Sequence, residues 1–288
     1  MKHNISLQER NVRIVADSAA DILALRNIPF VSVPLKIITD QKEYVDDDRL
    51  SVERMVGELK VYKGRSSTSC PNTEDWLAAF GDAREVYCVT ITGTLSGSYN
   101  AALSAKQIYE EAHPDRRVFM FNSLTAAAEI RLIIEKIEEL LVAGEDFDTI
   151  CASVSAYKQR TGLVFMLASM RNFANNGRVS PAVAKFAGLM GIRVVGKASD
   201  KGDLEPLDKC KGQTKALAAI LSRMQGEGYT GGRVMIAHCF NPEGATAMKE
   251  LIKQHFPPAR ITVYPCRGLC SFYAEEGGML VGFEKTEV

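Results

Sequence analysis

The run Val86-Tyr87-Cys88-Val89-Thr90-Ile91 is nearly all apolar, and it constrains the fold more than any other stretch of the chain. A run this short and this uniform is expected of a strand covered on both faces, inside a parallel sheet with helices packed above and below. A hydroxyl-rich turn lies on either side: Thr68-Ser69-Cys70-Pro71-Asn72 before it and Thr92-Gly93-Thr94-Leu95-Ser96-Gly97-Ser98 after it, each leading into a helix. That spacing points both helix N-termini at one crevice. Unpaired N–H groups and the positive end of the helix dipole suit such termini to a carboxylate or phosphate. The expectation is a small anionic head group held mainly by Thr68, Ser69 and Ser96, with Gly97 in the same turn. The plainer alternative is that these residues cap helices, as Ser and Thr commonly do.

Two more strands are expected to end in polar tips. Residues 12–16 stop at Asp17-Ser18, followed by a helical turn over 19–25, and residues 117–121 stop at Asn122-Ser123, before a long apolar helix over 124–142. Ligands of open parallel sheets bind beyond the carboxyl ends of the strands, so Asp17 and Ser123 join the candidates for one pocket wall. A strand over 30–37 carries Pro34 and belongs at an edge or bulge. The acidic segment Glu43-Tyr44-Val45-Asp46-Asp47-Asp48 has the ligand chemistry of magnesium, but three adjacent acids do not face one point. It reads as a solvated turn before a helix over 51–60. Helices are also expected from Asn72 or Thr73 through Phe80, over 99–113, and over 146–160.

From residue 161 the pattern becomes less regular. The reading is two α/β domains with a ligand cleft between them: residues 1–160 with a parallel sheet flanked by helices and the hydroxyl turns, and residues 161–288 as a smaller domain with a mixed sheet. The second contains a helix over 181–190, a strand over 192–197, a turn at 200–203, a helix over 211–225, a strand over 233–239, a helix over 242–255, and strands near 261–264 and 279–284.

Charge and cysteine usage exclude several classes. Lys plus Arg and Asp plus Glu each total 35, so no global field draws the chain to nucleic acid or an anionic membrane. The seven cysteines form an odd set spread along the chain, as in a reduced cytoplasmic protein, and Cys266 and Cys270 lack the second pair that a zinc site requires. There is no apolar leader and no membrane-length apolar run. Ser96 lacks the glycines of a hydrolase elbow, and no Gly-Lys-Ser/Thr loop or G-x-G-x-x-G is present. His238, at a strand end, is the one histidine well placed to be a base. A binding crevice is clearer than a catalytic one.

The series ADS at 16–18, VPL at 33–35, TSCPN at 68–72, TLSGSYNAA at 94–102, NS at 122–123, NNGRVS at 175–180 and KCKG at 209–212 resembles the DegV family of fatty-acid-binding proteins, in order over nearly the whole chain. The resemblance implies two α/β domains enclosing a long-chain fatty acid, its carboxylate on hydroxyls and its tail in an apolar tunnel. It implies a binding subunit rather than an enzyme, with no cofactor beyond the bound acid and with a separate fatty acid kinase as partner. Thr68 and Ser69 match the family's Thr-Ser-x-Pro-Ser turn, Ser96 the serine of Leu-Ser-Gly-Thr, Arg178 the arginine of Gly-Gly-Arg-Ile-Ser, and Lys211 stands where Lys-x-Arg-Gly has arginine. Arg178 and Lys211, read as exposed, would form a basic patch for that partner. Tyr273-Ala274-Glu275-Glu276-Gly277 occupies the place of the family's His-Thr-Gly-Pro-Gly, so Tyr273 stands for a histidine beside the head group. An enzyme acting on a small acyl or phosphorylated substrate, with His238 or Tyr273 in acid/base work, is the alternative.

Overall fold

A computed structural model describes residues 10–180, 183 and 191–285. The strands are β1 (Val12–Asp17), β2 (Phe30–Val33), β3 (Lys36–Ile38), β4 (Glu43–Val45), β5 (Ser67–Ser69), β6 (Glu85–Thr90), β7 (Arg117–Asn122), β8 (Thr161–Leu167), β9 (Ile192–Ala198), β10 (Leu204–Lys211), β11 (Arg233–His238), β12 (Arg260–Pro265) and β13 (Met279–Glu284). They form a four-stranded sheet in the order β2-β1-β6-β7, a six-stranded sheet in the order β10-β9-β8-β13-β11-β12, and a small sheet β4-β3-β5. The first is wholly parallel, as the apolar β6 requires. In the second only β11 and β12 run parallel.

The helix Ala128–Val142 holds the two large sheets together. Its residues Ile130, Leu132, Ile133, Ile134 and Ile137 have no exposed surface, and they share one core with Ile14 and Val89 of the first sheet and Phe165 and Met235 of the second. At its N-terminus the backbone lies so close to β13 that a Cβ on Gly282 would fall 2.6 Å from the carbonyl carbon of Ala128. Only glycine fits that approach.

Several expectations are revised. The strand over 30–37 is two strands in different sheets, divided around Pro34, whose missing N–H cannot join a ladder. The helical turn over 19–25 shortens to a single 3-10 turn, Ser18–Ala20. The acidic segment is not a solvated turn: Glu43–Val45 is β4, and Asp46 is fully buried. β8 occupies a stretch read as irregular, β10 follows the expected turn at 200–203 in a stretch given no element and takes Lys211 from the expected helix, which starts at Gln213, and a short helix, Gly268–Ala274, lies between the last two strands. The expected helix over 181–190 lies outside the described residues apart from Val183. Among the described residues no helix is long and apolar enough to cross a membrane.

Candidate functional site

A cavity of about 250 Å3 lies against one face of the six-stranded sheet, beside β5 and the turn after β6, lined among others by Thr68, Ser69, Ser96, Gly97, Arg178 and Tyr273. These come from four separate segments. Thr68 and Ser69 belong to β5, where Thr68 pairs with Ile37 of β3. Ser96 and Gly97 precede the helix Ser98–Ala112, Arg178 follows the helix Arg171–Asn175, and Tyr273 ends the helix Gly268–Ala274.

Short contacts draw the polar groups together. The hydroxyls of Thr68 and Tyr273 are 2.8 Å apart and share one hydrogen bond, which leaves the second O–H to point elsewhere. The Ser96 Oγ accepts from the Ser98 N–H at 3.2 Å, so its own hydrogen stays available to the cavity. Ser96 therefore both takes the first amide of the helix, one residue ahead of the Gly97 cap, and faces the cavity. Arg178 Nε donates to the Leu95 carbonyl at 3.1 Å and its Nη1 to the Asn176 carbonyl at 2.5 Å, which fixes the guanidinium beside the Ser96 turn. Arg178 is thus half-buried in the wall rather than exposed. A Cβ on Gly97 would meet Cys70 Sγ at 3.1 Å, so the two hydroxyl turns approach each other through that glycine. Burial pushes the Tyr273 phenol above its ordinary range, against the opposing effects of the Thr68 bond and the Arg178 charge, and it stays a neutral donor.

The rest of the wall is apolar. Leu163, Phe165 and Leu167 alternate onto it from β8, while Val164 and Met166 turn to a separate core on the far face of the sheet. Phe173 packs against Tyr273 with ring centroids 4.7 Å apart. Leu269 and Cys270 come from the turn of helix before Tyr273.

That short helix is held by buried carboxylates. Asp46 accepts from the Gly268 and Leu269 N–H groups, each at 2.9 Å, and Asp21 accepts from the Arg267 N–H at 2.8 Å. Burial raises both acids, Asp21 to about 7. Asp17 is likewise raised to about 6 by burial, although it accepts from Ser98 Oγ at 2.6 Å and the Ile91 N–H at 2.9 Å.

Asp17 and Ser123 are not among the residues that line the cavity. Asp17 supports the Ser96 turn from behind, and Ser123 is fully buried with its Oγ donating to the Thr125 carbonyl at 3.2 Å. The first helix N-terminus is closed by its own capping box of Asn72 and Asp75, and neither residue lines the cavity. His238 also stands apart from the cavity, its Nδ1 accepting from the Asn241 N–H at 3.3 Å, and burial lowers its proton affinity. Glu275 and Glu276 are partnered, Glu276 with Lys60 at 2.6 Å and Glu275 with Arg171 at 3.8 Å. Glu275 nevertheless adopts φ 53 and ψ 170, a region that favours glycine. Among the described residues no cluster of His, Cys, Asp or Glu is placed to hold a metal, and all seven cysteines are free thiols.

Reading the sequence missed the apolar wall residues of β8 and of the short helix. Their signal was present in the i, i+2, i+4 spacing of Leu163, Phe165 and Leu167. It was masked because the intervening residues are apolar too.

A family model described as an uncharacterised protein of the DegV family matches residues 11–286. A DegV domain-containing protein of Streptococcus pneumoniae is 41% identical over 276 residues, covering 94% of this chain and 98% of that protein. Two solved structures are each 41% identical with a TM-score of 0.94 and cover 96% of this chain and 100% of theirs. One is a DegV family protein from Eubacterium eligens loaded with heptadecanoic acid, the other the Streptococcus pneumoniae fatty acid kinase B3 protein loaded with linoleic acid.

Proposed function

The chain belongs to the DegV family, and from that premise we propose that it binds one long-chain fatty acid without a covalent bond, the carboxylate among the hydroxyls of Thr68, Ser69, Ser96 and Tyr273 and the tail along the apolar wall. The observation that carries this reading is the division of the cavity. Hydroxyls and one guanidinium gather where β5, the Ser96 turn and Tyr273 meet, and leucine and phenylalanine side chains line the remainder. An ionised carboxylate accepts several hydrogen bonds, and Arg178 balances its charge without a second cation. The tail gains by leaving water, at about 0.8 kcal/mol per methylene.

The division at about residue 160 into a head-group domain and a domain that closes over the tail belongs to the same proposal. So does the role of a binding subunit in the cytoplasm, without a cofactor, that presents its acid to a separate ATP-dependent kinase. Likeness to the pneumococcal fatty acid kinase B3 protein supports that last step.

The test is to denature the purified protein and identify the small molecules released by mass spectrometry, then to titrate the emptied protein with fatty acid. One acyl chain per protein is expected. No released acyl chain and no binding of added acid would remove the proposal. The same loaded protein, given ATP and a kinase subunit from a DegV system, is expected to yield acyl phosphate; none would restrict the role to binding.

A further inference from the structure

We propose that Leu163 sets the longest acyl chain this protein accepts, by closing the far end of the apolar cavity against a second pocket of opposite character. The inference rests on the fatty-acid reading above. Leu163 lines both the apolar cavity and a neighbouring cavity of about 150 Å3. The path of β8 shows which end this is. From Leu163 the strand passes Phe165 and Leu167 along the wall, a distance of about 13 Å for four residues of extended chain. The chain then leads through Phe173 to Arg178 at the polar end. Leu163 therefore stands opposite the carboxylate end, almost wholly buried at 4% exposure.

The second pocket is polar. Lys158, Lys197 and Lys285 line it together with Glu129 and Glu227. Lys158 pairs with Glu129 at 2.5 Å, and Glu227 takes Lys197 at 2.9 Å and Lys285 at 3.1 Å. Glu129 is fully buried, and its Oε2 has no hydrogen-bond partner in the protein. A methyl end pushed past Leu163 would lie among paired charges and gain nothing from burial, whereas a hydroxyl end would find acceptors and donors there. The Leu163 side chain keeps these two environments apart.

Displacement of a fluorescent fatty acid from the emptied protein, with a series of saturated acids, tests this. In the wild type, affinity is expected to climb by about fourfold per added methylene, reach a limit and then fall. Leu163→Ala is expected to move the limit to chains at least two methylenes longer, and Leu163→Phe to move it shorter. The wild type is expected to prefer a methyl-ended acid over its ω-hydroxy counterpart, and Leu163→Ala to abolish or reverse that preference, which a merely loosened core would not do. Should Leu163→Ala fail to fold by circular dichroism, Leu163→Phe carries the test in the opposite direction. Wild-type length limits in the variants that fold would overturn the inference and leave fatty-acid binding standing. No binding of any acid by the wild type would overturn both.

Discussion

The two hydroxyl-rich turns flanking β6 look alike in sequence and are built on different supports. Thr68 and Ser69 lie in a strand of the small antiparallel sheet, and the helix that follows is closed by its own capping box between Asn72 and Asp75. The Ser96 turn instead runs straight into the helix Ser98–Ala112, and behind it Asp17 holds Ser98 Oγ and the Ile91 N–H in a site with no exposure. One turn is propped by surface hydrogen bonds, the other by a carboxylate buried in the parallel sheet. Similar residues facing one cavity can therefore differ in how far a change in their support spreads into the fold.

Removing the buried prop is expected to have the largest effect. Asp17→Ala leaves the Ile91 N–H and the Ser98 hydroxyl without their acceptor, and should cost about 3 kcal/mol or more in a urea melt. A loss no larger than that of a surface cap would show that the two turns do not differ in their support. The carboxylate also sets a pH dependence. Burial raises Asp17 from 3.8 to about 6, so the folded state holds its proton more tightly than the unfolded one. The contribution is fully present below pH 3.8 and is lost as pH rises through 6, so Asp17 lowers stability across that window. Asp21, raised to about 7, extends the same slope toward neutral pH. Asp17→Asn should flatten the acidic part of the curve and leave the part due to Asp21.

Ligand affinity comes next. Ser96→Ala and Thr68→Ala should each weaken fatty-acid binding about tenfold or more, on the scale of about 1.5 to 3 kcal/mol for a hydrogen bond to a charged group. Ser96→Ala should also lower stability, because the Ser98 N–H loses its acceptor, while Thr68→Ala should melt close to wild type. Unchanged affinity in both would return these residues to helix capping and sheet edge alone. The smallest effect is expected at the other support. Asn72→Ala removes half of the capping box, should cost about 1 kcal/mol, and should leave affinity as it was. A tenfold fall in affinity there would mean that the first helix end does face the ligand.

The supports were harder to read from sequence than the residues they hold. Ser96 and Thr68 stand out as hydroxyl residues in turns before helices, where local rules apply, whereas Arg178 is marked only by the family motif and its place in the cavity wall is not legible. Asp17 and Ser123 also stand out, yet both face inward, because a strand tip shows only that a polar residue occurs there and not which side covers it. Asp46 is the sharper case. Three adjacent acids suggest solvent, but the chain returns more than two hundred residues later with the Gly268 and Leu269 amides against this carboxylate. A contact across that separation leaves no local signature. The same holds for β8, where two different cores claim alternate residues and the strand reads as uniformly apolar.

The helix Ala128–Val142, packed against both large sheets with Gly282 under its first turn, bears on how a ligand could come and go. Swinging the two sheets apart as rigid halves would expose isoleucines that have no contact with water, each worth about 1.5 to 3 kcal/mol. It would also break the close backbone approach at Gly282. Exchange through such a hinge would be slow on the scale of unfolding itself. Loosening the short helix Arg171–Asn175 breaks fewer contacts: one ring stack of Phe173 on Tyr273, the Asn172 side-chain bond to the Phe272 carbonyl at 2.7 Å, the Asn172 N–H bond to Glu275 at 3.4 Å and the Arg171–Glu275 pair at 3.8 Å. Under the fatty-acid reading, the residence time of the ligand is expected to follow that short helix, and to change without any change in the frame around it.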